Sequence, residues 1–302
     1  MPTVIHVLRK FEPLEWGGIE THLLGVIPEL ARLGWRSEVH APAEAGTDGS
    51  VLQAVGARFR TFRARYPYLG LSGERRARLV AAGGNLVSVS ELARLVGDRD
   101  AALLHVHTLG RLGGVVRTAA RLRGIPYAVS LHGPVRADSA VVEQDARSRT
   151  KSLLDLGAPF GWAVGARRVA QDADILFALN RDEFAAWADD RHGRHLELAS
   201  HGVDPTPATA QARTEARALA GGRPFVLVVG RLDRAKGQDV AMEAFARVAP
   251  EGTRLVLAGA AVDAVFAAEL RARAASSGPQ VKILGGVAPA MARALMAEAS
   301  LV

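Results

Sequence analysis

A chain of 302 residues suffices for two ordinary domains, and 49% hydrophobic with 23% charged residues predicts real cores rather than disorder. It has no cysteine, which excludes disulfides and thiolate metal sites, and no apolar run reaches the ~18 residues that would span a bilayer. Net charge is +7, yet aromatic residues are only 5%, so no stacking platform for nucleic acid is expected.

In chain order, residues 3–8 read as a first strand. Apolar side chains at Ile19, Leu23, Val26, Ile27, Leu30 and Leu33 then recur at helical spacing, and Gly34 supplies a stop. Residues 37–41 and 58–62 read as weaker strands. Arg58, Arg60, Arg63, Arg65, Arg75, Arg76 and Arg78 face a single acid, Glu74. A solvated edge strand and loop accounts for them. Contact with an anionic acceptor or an anionic membrane face is the functional alternative. Residues 74–96 are expected to be helical despite Gly83 and Gly84. A buried strand at 102–107 leads into a helix ending near Arg123, and further strands follow at 126–132 and 175–179, with a short helix from Arg181.

The composition changes at 205–212, a Pro/Thr/Ala linker running into a helix. Residues 225–229 predict a strand buried on both faces. Residues 236–248 predict a helix with Val240, Ala244 and Val248 on one face. Strands at 254–258 and 281–284 alternate with helices at 262–275 and 289–299, and Leu301 and Val302 resemble the opening of another strand. This alternation predicts an α/β protein with parallel sheets: a Rossmann-like domain over 1–205 and a second, incomplete one over 206–302. The N-terminus lacks a secretory-signal pattern, so a cytoplasmic setting is expected, with residues 58–78 as the route to any peripheral contact at the inner membrane face.

Several residues carry chemistry. Gly17 and Gly18 stand between a strand end and a helix start, where backbone N–H groups approach an anion closely. The spacing does not fit G-x-G-x-x-G, so a nicotinamide site is not supported. The stretch VGRLDRAKG at 229–237 follows the first strand of the second domain. Arg231 and Lys236 flank its turn at the carboxyl end, where parallel sheets bind ligands, and two cations there suit a diphosphate. His107 and His132 end two buried strands at the same edge. His105 and His107 share a strand face, a spacing that can hold a metal, but no third ligand is evident and no metal site is expected. The Asp-x-Asp strings at 98–100 and 172–174 precede strands, the wrong edge for a ligand, and read as helix-to-strand connections.

Together GGIETH at 17–22, HVHT at 105–108, SLHG at 130–133, HGVD at 201–204 and GRLDRAKGQD at 230–239 resemble the family 4 retaining glycosyltransferases of the GT-B fold. The resemblance implies two Rossmann-like domains whose parallel sheets face each other across a cleft, and a nucleotide-diphosphate sugar as donor with no metal or other cofactor. Gly230, Arg231 and Lys236 would hold the donor diphosphate, Gly17 and Gly18 would lie close to the donor phosphates or the acceptor, and His132 would touch the transferred sugar. Glu20, His107 and His201 would line the cleft on the acceptor side, with His201 standing where the family carries asparagine. The acceptor is left open among a glycolipid, a glycan and a small molecule. The family's acidic C-terminal segment would begin just past Val302, so the resemblance implies a truncated chain. The alternative reading is a truncated, non-catalytic relative that binds an acceptor or a partner.

Overall fold

The computed structural model describes residues 1–12, 17–44, 46–70, 73, 85–131, 155–188, 195–202, 206–248 and 251–302. The chain divides into two compact units, Met1–Pro13 with Gly18–Val203 and Leu14–Gly17 with Asp204–Val302. Among the described residues no helix is long and apolar enough to cross a membrane.

The first unit is a seven-stranded sheet of β1 (Thr3–Val7), β2 (Arg36–Pro42), β3 (Arg58–Phe62), β4 (Ala101–Val106), β5 (Tyr127–Ser130), β6 (Ile175–Ala178) and β7 (His195–Leu198). Their order is β3-β2-β1-β4-β5-β6-β7, and every pairing is parallel. The chain winds outward from β1 in one direction and from β4 in the other. The β1/β4 boundary is therefore the topological switch point, where the connections leave a crevice beyond the carboxyl ends of the strands.

Every residue of β1 is buried, as a central parallel strand covered on both faces requires. Ile5 and Val7 pack with Leu104 and Val106 against Leu112, Val115, Val116 and Ala119 of the helix Gly110–Arg123. Beyond β1, Leu8 and Phe11 pack on the opposite side with Val39 and with Leu23 and Ile27 of α1 (Gly18–Arg32). Alternation along the strand thus turns His6 toward the α1 side. Gly34, at φ 81°, ends α1 as the sequence predicts: its N–H donates to Ala31 O, and that of Trp35 to Leu30 O. Leu33 departs from the predicted apolar stripe, being 75% exposed, because it lies past the last helical residue.

The second unit is a parallel sheet of β8 (Phe225–Val229), β9 (Arg254–Ala258) and β10 (Val281–Gly285) in the order β10-β9-β8. The helices Ala210–Ala220 and Pro289–Glu298 cover one face through Ala216, Ala220, Ala294 and Leu295. The helices Gln238–Val248 and Ala264–Ser276 cover the other through Met242, Phe245, Phe266 and Leu270. Leu301 forms a parallel bridge with Val226, on the side of β8 away from β9.

The structure corrects one expected face and, within the described residues, the start of one expected helix. In Gln238–Val248 the buried residues are Gln238, Met242 and Phe245, whereas Val240 and Val248 are 65% and 77% exposed. A polar residue begins the true stripe, which disguised its phase. The helix expected over 74–96 is described only as Val89–Gly97, capped by Ser88 Oγ accepting from Glu91 N; residues 74–84 lie outside the described residues. Val87 instead bridges Arg65. The Asp-x-Asp strings are connections: Asp98 accepts from the N–H groups of Asp100 and Ala101, Asp172 pairs with Arg117, Arg121 and Arg168, and Asp174 accepts from Tyr127 N.

Candidate functional site

Each unit brings candidate residues to the carboxyl edge of its own sheet. In the first unit, His107 immediately follows β4, and its N–H donates to Val7 O at the end of β1. The two strands run in register, His6 opposite His105, so three imidazoles stand at the switch point. His6 Nδ1 lies 3.2 Å from His107 Nε2, and His105 Nε2 lies 2.8 Å from Ser130 Oγ on β5. The row of rings continues outward. His22, on the first turn of α1, has its centroid 5.9 Å from that of His107, and His201, beyond β7, lies 5.1 Å from His22. His6, His105 and His107 are buried, while His22 and His201 are half-buried.

The electrostatics of this row follow from burial. Burial pushes the His6 pKa down to about 3, with repulsion from His22 adding to it. Burial lowers His22 to about 4, and His201 opposes its charge as well. Burial also lowers His201. These three rings are therefore neutral at pH 7. Neutral imidazoles offer both a donor and an acceptor nitrogen, which suits hydroxyl-rich ligands better than anions.

The expected site residues separate accordingly. Gly18 opens α1, and a Cβ built on it would lie 3.5 Å from His201 Nε2, so Gly18, His22, His107 and His201 belong to one neighbourhood. Glu20 is buried on α1 with Leu23 and Ile27. Gly17 directly precedes α1, and His132 lies outside the described residues. Sequence reasoning missed His6 and His22. A histidine inside the otherwise apolar run TVIHV was the available signal for the first. The premise that His105 and His107 have no third partner also fails: the third imidazole comes from β1, about a hundred residues away in sequence, through strand pairing.

In the second unit, Gly230, Arg231 and Lys236 leave the carboxyl end of β8. Gly230 N donates to Ala258 O and Leu232 N to Ala260 O, so the loop extends the β8–β9 pairing. A short 3-10 turn, Arg234–Lys236, follows, and Gly237 at φ 65° delivers the chain into the helix Gln238–Val248. Gln238 is fully buried, and its Nε2 donates to Arg231 O at 2.7 Å, tying helix start to loop. Of the three cations here, Arg234 is committed elsewhere: it contacts both carboxylate oxygens of Glu269 at 2.6 Å and lies over the Phe266 ring. Among the described residues neither Arg231 nor Lys236 has a carboxylate partner. Gly259, not foreseen from sequence, fixes how closely the loop packs: a Cβ there would fall 1.8 Å from Gly230 O and 3.1 Å from Arg231 N.

The glycosyl transferase 4-like domain family matches residues 17–192, and glycosyl transferases group 1 matches residues 223–302. The chain is 27% identical to a D-inositol 3-phosphate glycosyltransferase of Xylanimonas cellulosilytica over 93% of its own length and 67% of that protein. Among solved structures it resembles Anabaena HepE in complex with UDP and glucose (TM-score 0.68, 16% identity), covering 99% of this chain and 72% of that one. It also resembles the UDP-GlcNAc 2-epimerase of Methanocaldococcus jannaschii (TM-score 0.57, 11% identity), covering 100% of this chain and 77% of that one. With more than half of its residues matched to the first of these families, the chain belongs to the glycosyl transferase 4-like proteins and carries their GT-B fold.

Proposed function

We propose that this chain carries out retaining, metal-independent transfer of a sugar from a nucleoside-diphosphate sugar to a hydroxyl acceptor. The observation that carries this reading is the pair Arg231 and Lys236, two cations without carboxylate partners among the described residues, at the carboxyl end of a parallel strand. When the glycosidic bond to the diphosphate lengthens, negative charge gathers on the departing oxygen. Fixed cations stabilise it with no divalent ion, and they act most strongly in the transition state, where that charge is largest. The leaving diphosphate can itself accept the acceptor proton on the face from which it departs, consistent with retention at the anomeric carbon.

The neutral imidazoles His22 and His201, with the neighbouring His107 and with Gly18 at the start of α1, suit the sugar or acceptor hydroxyls. His132, Glu20 and Gly17 remain proposed contributors on the family resemblance. The complex of HepE with UDP and glucose supports UDP as the first nucleotide to assay, and the Xylanimonas relative makes a phosphorylated polyol the first acceptor. A peripheral membrane contact through the arginines of residues 58–78 stays part of the proposal for a lipid acceptor.

The test is substitution of the two cations. Arg231→Ala and Lys236→Ala each lower turnover by ~100-fold or more, as loss of a transition-state charge partner does, and each weakens UDP binding by calorimetry. Added Mg²⁺ or Mn²⁺ leaves wild-type turnover within about twofold, as cation-assisted departure without a divalent ion requires. Unchanged turnover in both variants overturns the leaving-group role.

A further inference from the structure

Outside the proposed donor loop, the feature with the most unassigned chemistry is the set of three imidazoles at the switch point. We propose that His6, His105 and His107 form a binding site for a divalent transition-metal ion of the Zn²⁺, Co²⁺ or Ni²⁺ class. The site draws on residues of the first unit alone, and it is independent of the metal-free departure of the diphosphate.

Three observations carry it. One ligand nitrogen from each of the three residues lies within 4.8 Å of the others. Two imidazole nitrogens bound to one tetrahedral ion at ~2.0–2.1 Å stand about 3.3 Å apart; His6 Nδ1 and His107 Nε2 are 3.2 Å apart. His105 Nε2 meets the Ser130 hydroxyl at 2.8 Å, and a metal-binding imidazole commonly gives its second nitrogen such a partner, which fixes tautomer and ring plane.

The ligand set decides the kind of ion. Three imidazoles with no carboxylate among them suit Zn²⁺, Co²⁺, Ni²⁺ or Cu²⁺ and disfavour the oxygen-seeking Mg²⁺ and Ca²⁺. Four-coordination leaves one position for water or an anion. Because the ligands come from β1 and β4, a bound ion would clamp the two strands that begin the two directions of winding. The folded state alone presents this geometry, so an ion raises the melting temperature in a concentration-dependent way.

The experiment uses the whole chain without a polyhistidine tag, stripped with chelator and titrated with Co²⁺. The expected result is the strong visible absorption of tetrahedral Co²⁺, saturating at about one ion per chain, bleached by Zn²⁺ and untouched by Mg²⁺. His107→Gln and His6→Gln each weaken Co²⁺ binding by about 100-fold or more, as loss of one of three ligands should. Ser130→Ala keeps every ligand and weakens binding by ~10–100-fold through the lost ring anchor. Should the histidine variants fail to fold by circular dichroism, Ser130→Ala decides the matter. No tetrahedral spectrum in the wild type overturns the site. So does full-strength binding in a folded His107→Gln chain, or in Ser130→Ala.

Discussion

At the scale of single residues, Gly259 shows how an absent side chain can govern a distant charge. Backbone atoms of Gly230 and Arg231 occupy the space where its Cβ would go, and no flexible side chain is present to give way. Gly259→Ala is therefore expected to push the end of β8 outward, at a cost of about 1–3 kcal/mol or more. Thermal melting should register the loss, and, on the proposed donor role of Arg231, calorimetry should show weaker UDP binding because Arg231 moves with the backbone. Gly286→Ala is the control. Its nearest neighbour is the Ala260 Cβ at 3.7 Å, an ordinary contact, so neither quantity should change. A Gly259→Ala chain with wild-type melting and UDP affinity would mean that the loop tolerates displacement.

At the scale of elements, β2 carries a buried polar cluster next to the edge strand. His40 meets Glu38 Oε1 through Nε2 at 2.8 Å and Glu91 Oε1 through Nδ1, and Glu38 also pairs with Arg60 of β3. Burial by itself pushes the His40 pKa down, but hydrogen bonds and charge from the two glutamates outweigh it, and the pKa lies above the ordinary value of 6.5. The hydrogen bond from His40 holds the Glu38 carboxyl below its ordinary 4.5, against burial and with help from Arg60. The signs fix a window. The His40 contribution is complete below pH 6.5 and is lost as pH rises through the raised folded value. The Glu38 contribution is complete above pH 4.5 and is lost as pH falls through the lowered one. The melting-temperature gap between wild type and His40→Gln should therefore be widest between pH 4.5 and 6.5 and shrink on either side. An equal gap at about pH 5.5 and about pH 9 would contradict this linkage.

The elements also show what a sequence can disclose. Strands β1, β4, β5, β6, β8, β9 and β10 were legible because each is a short apolar run bounded by turn residues. The end of α1 was legible because Gly34 is the residue that a left-handed terminus favours. Illegible were β7, whose HLEL carries little apolar signal on an exposed edge, and the phase of Gln238–Val248, where a buried amide stands in the stripe. The loop with Arg231 and Lys236 was visible as a motif. The histidine row was only half visible, since pairing of β1 with β4 creates it and no local spacing encodes such a contact.

At the scale of the whole molecule, the hydrophobic side chains sort into clusters confined to one unit or the other. Leu104 belongs to a first-unit core and Leu257 to a second-unit core, both fully buried. Each Leu→Ala change should cost about 2–5 kcal/mol within its own core. Scanning calorimetry is expected to resolve two transitions, with Leu104→Ala lowering one and Leu257→Ala the other. One transition displaced equally by both changes would show that the cores melt as a single cooperative body.

The seven-stranded sheet ends in β3 on one side and β7 on the other, and both outer strands are dressed with charge. Arg58 and Arg60 stand exposed along β3, and His195 is paired with Glu197 on β7. An open strand border is a template on which another polypeptide can add itself, and ionised side chains make that recruitment costly. Some of the positive charge is therefore expected to have a use that requires no ligand: Arg58→Val with Arg60→Val should promote self-association, read by light scattering.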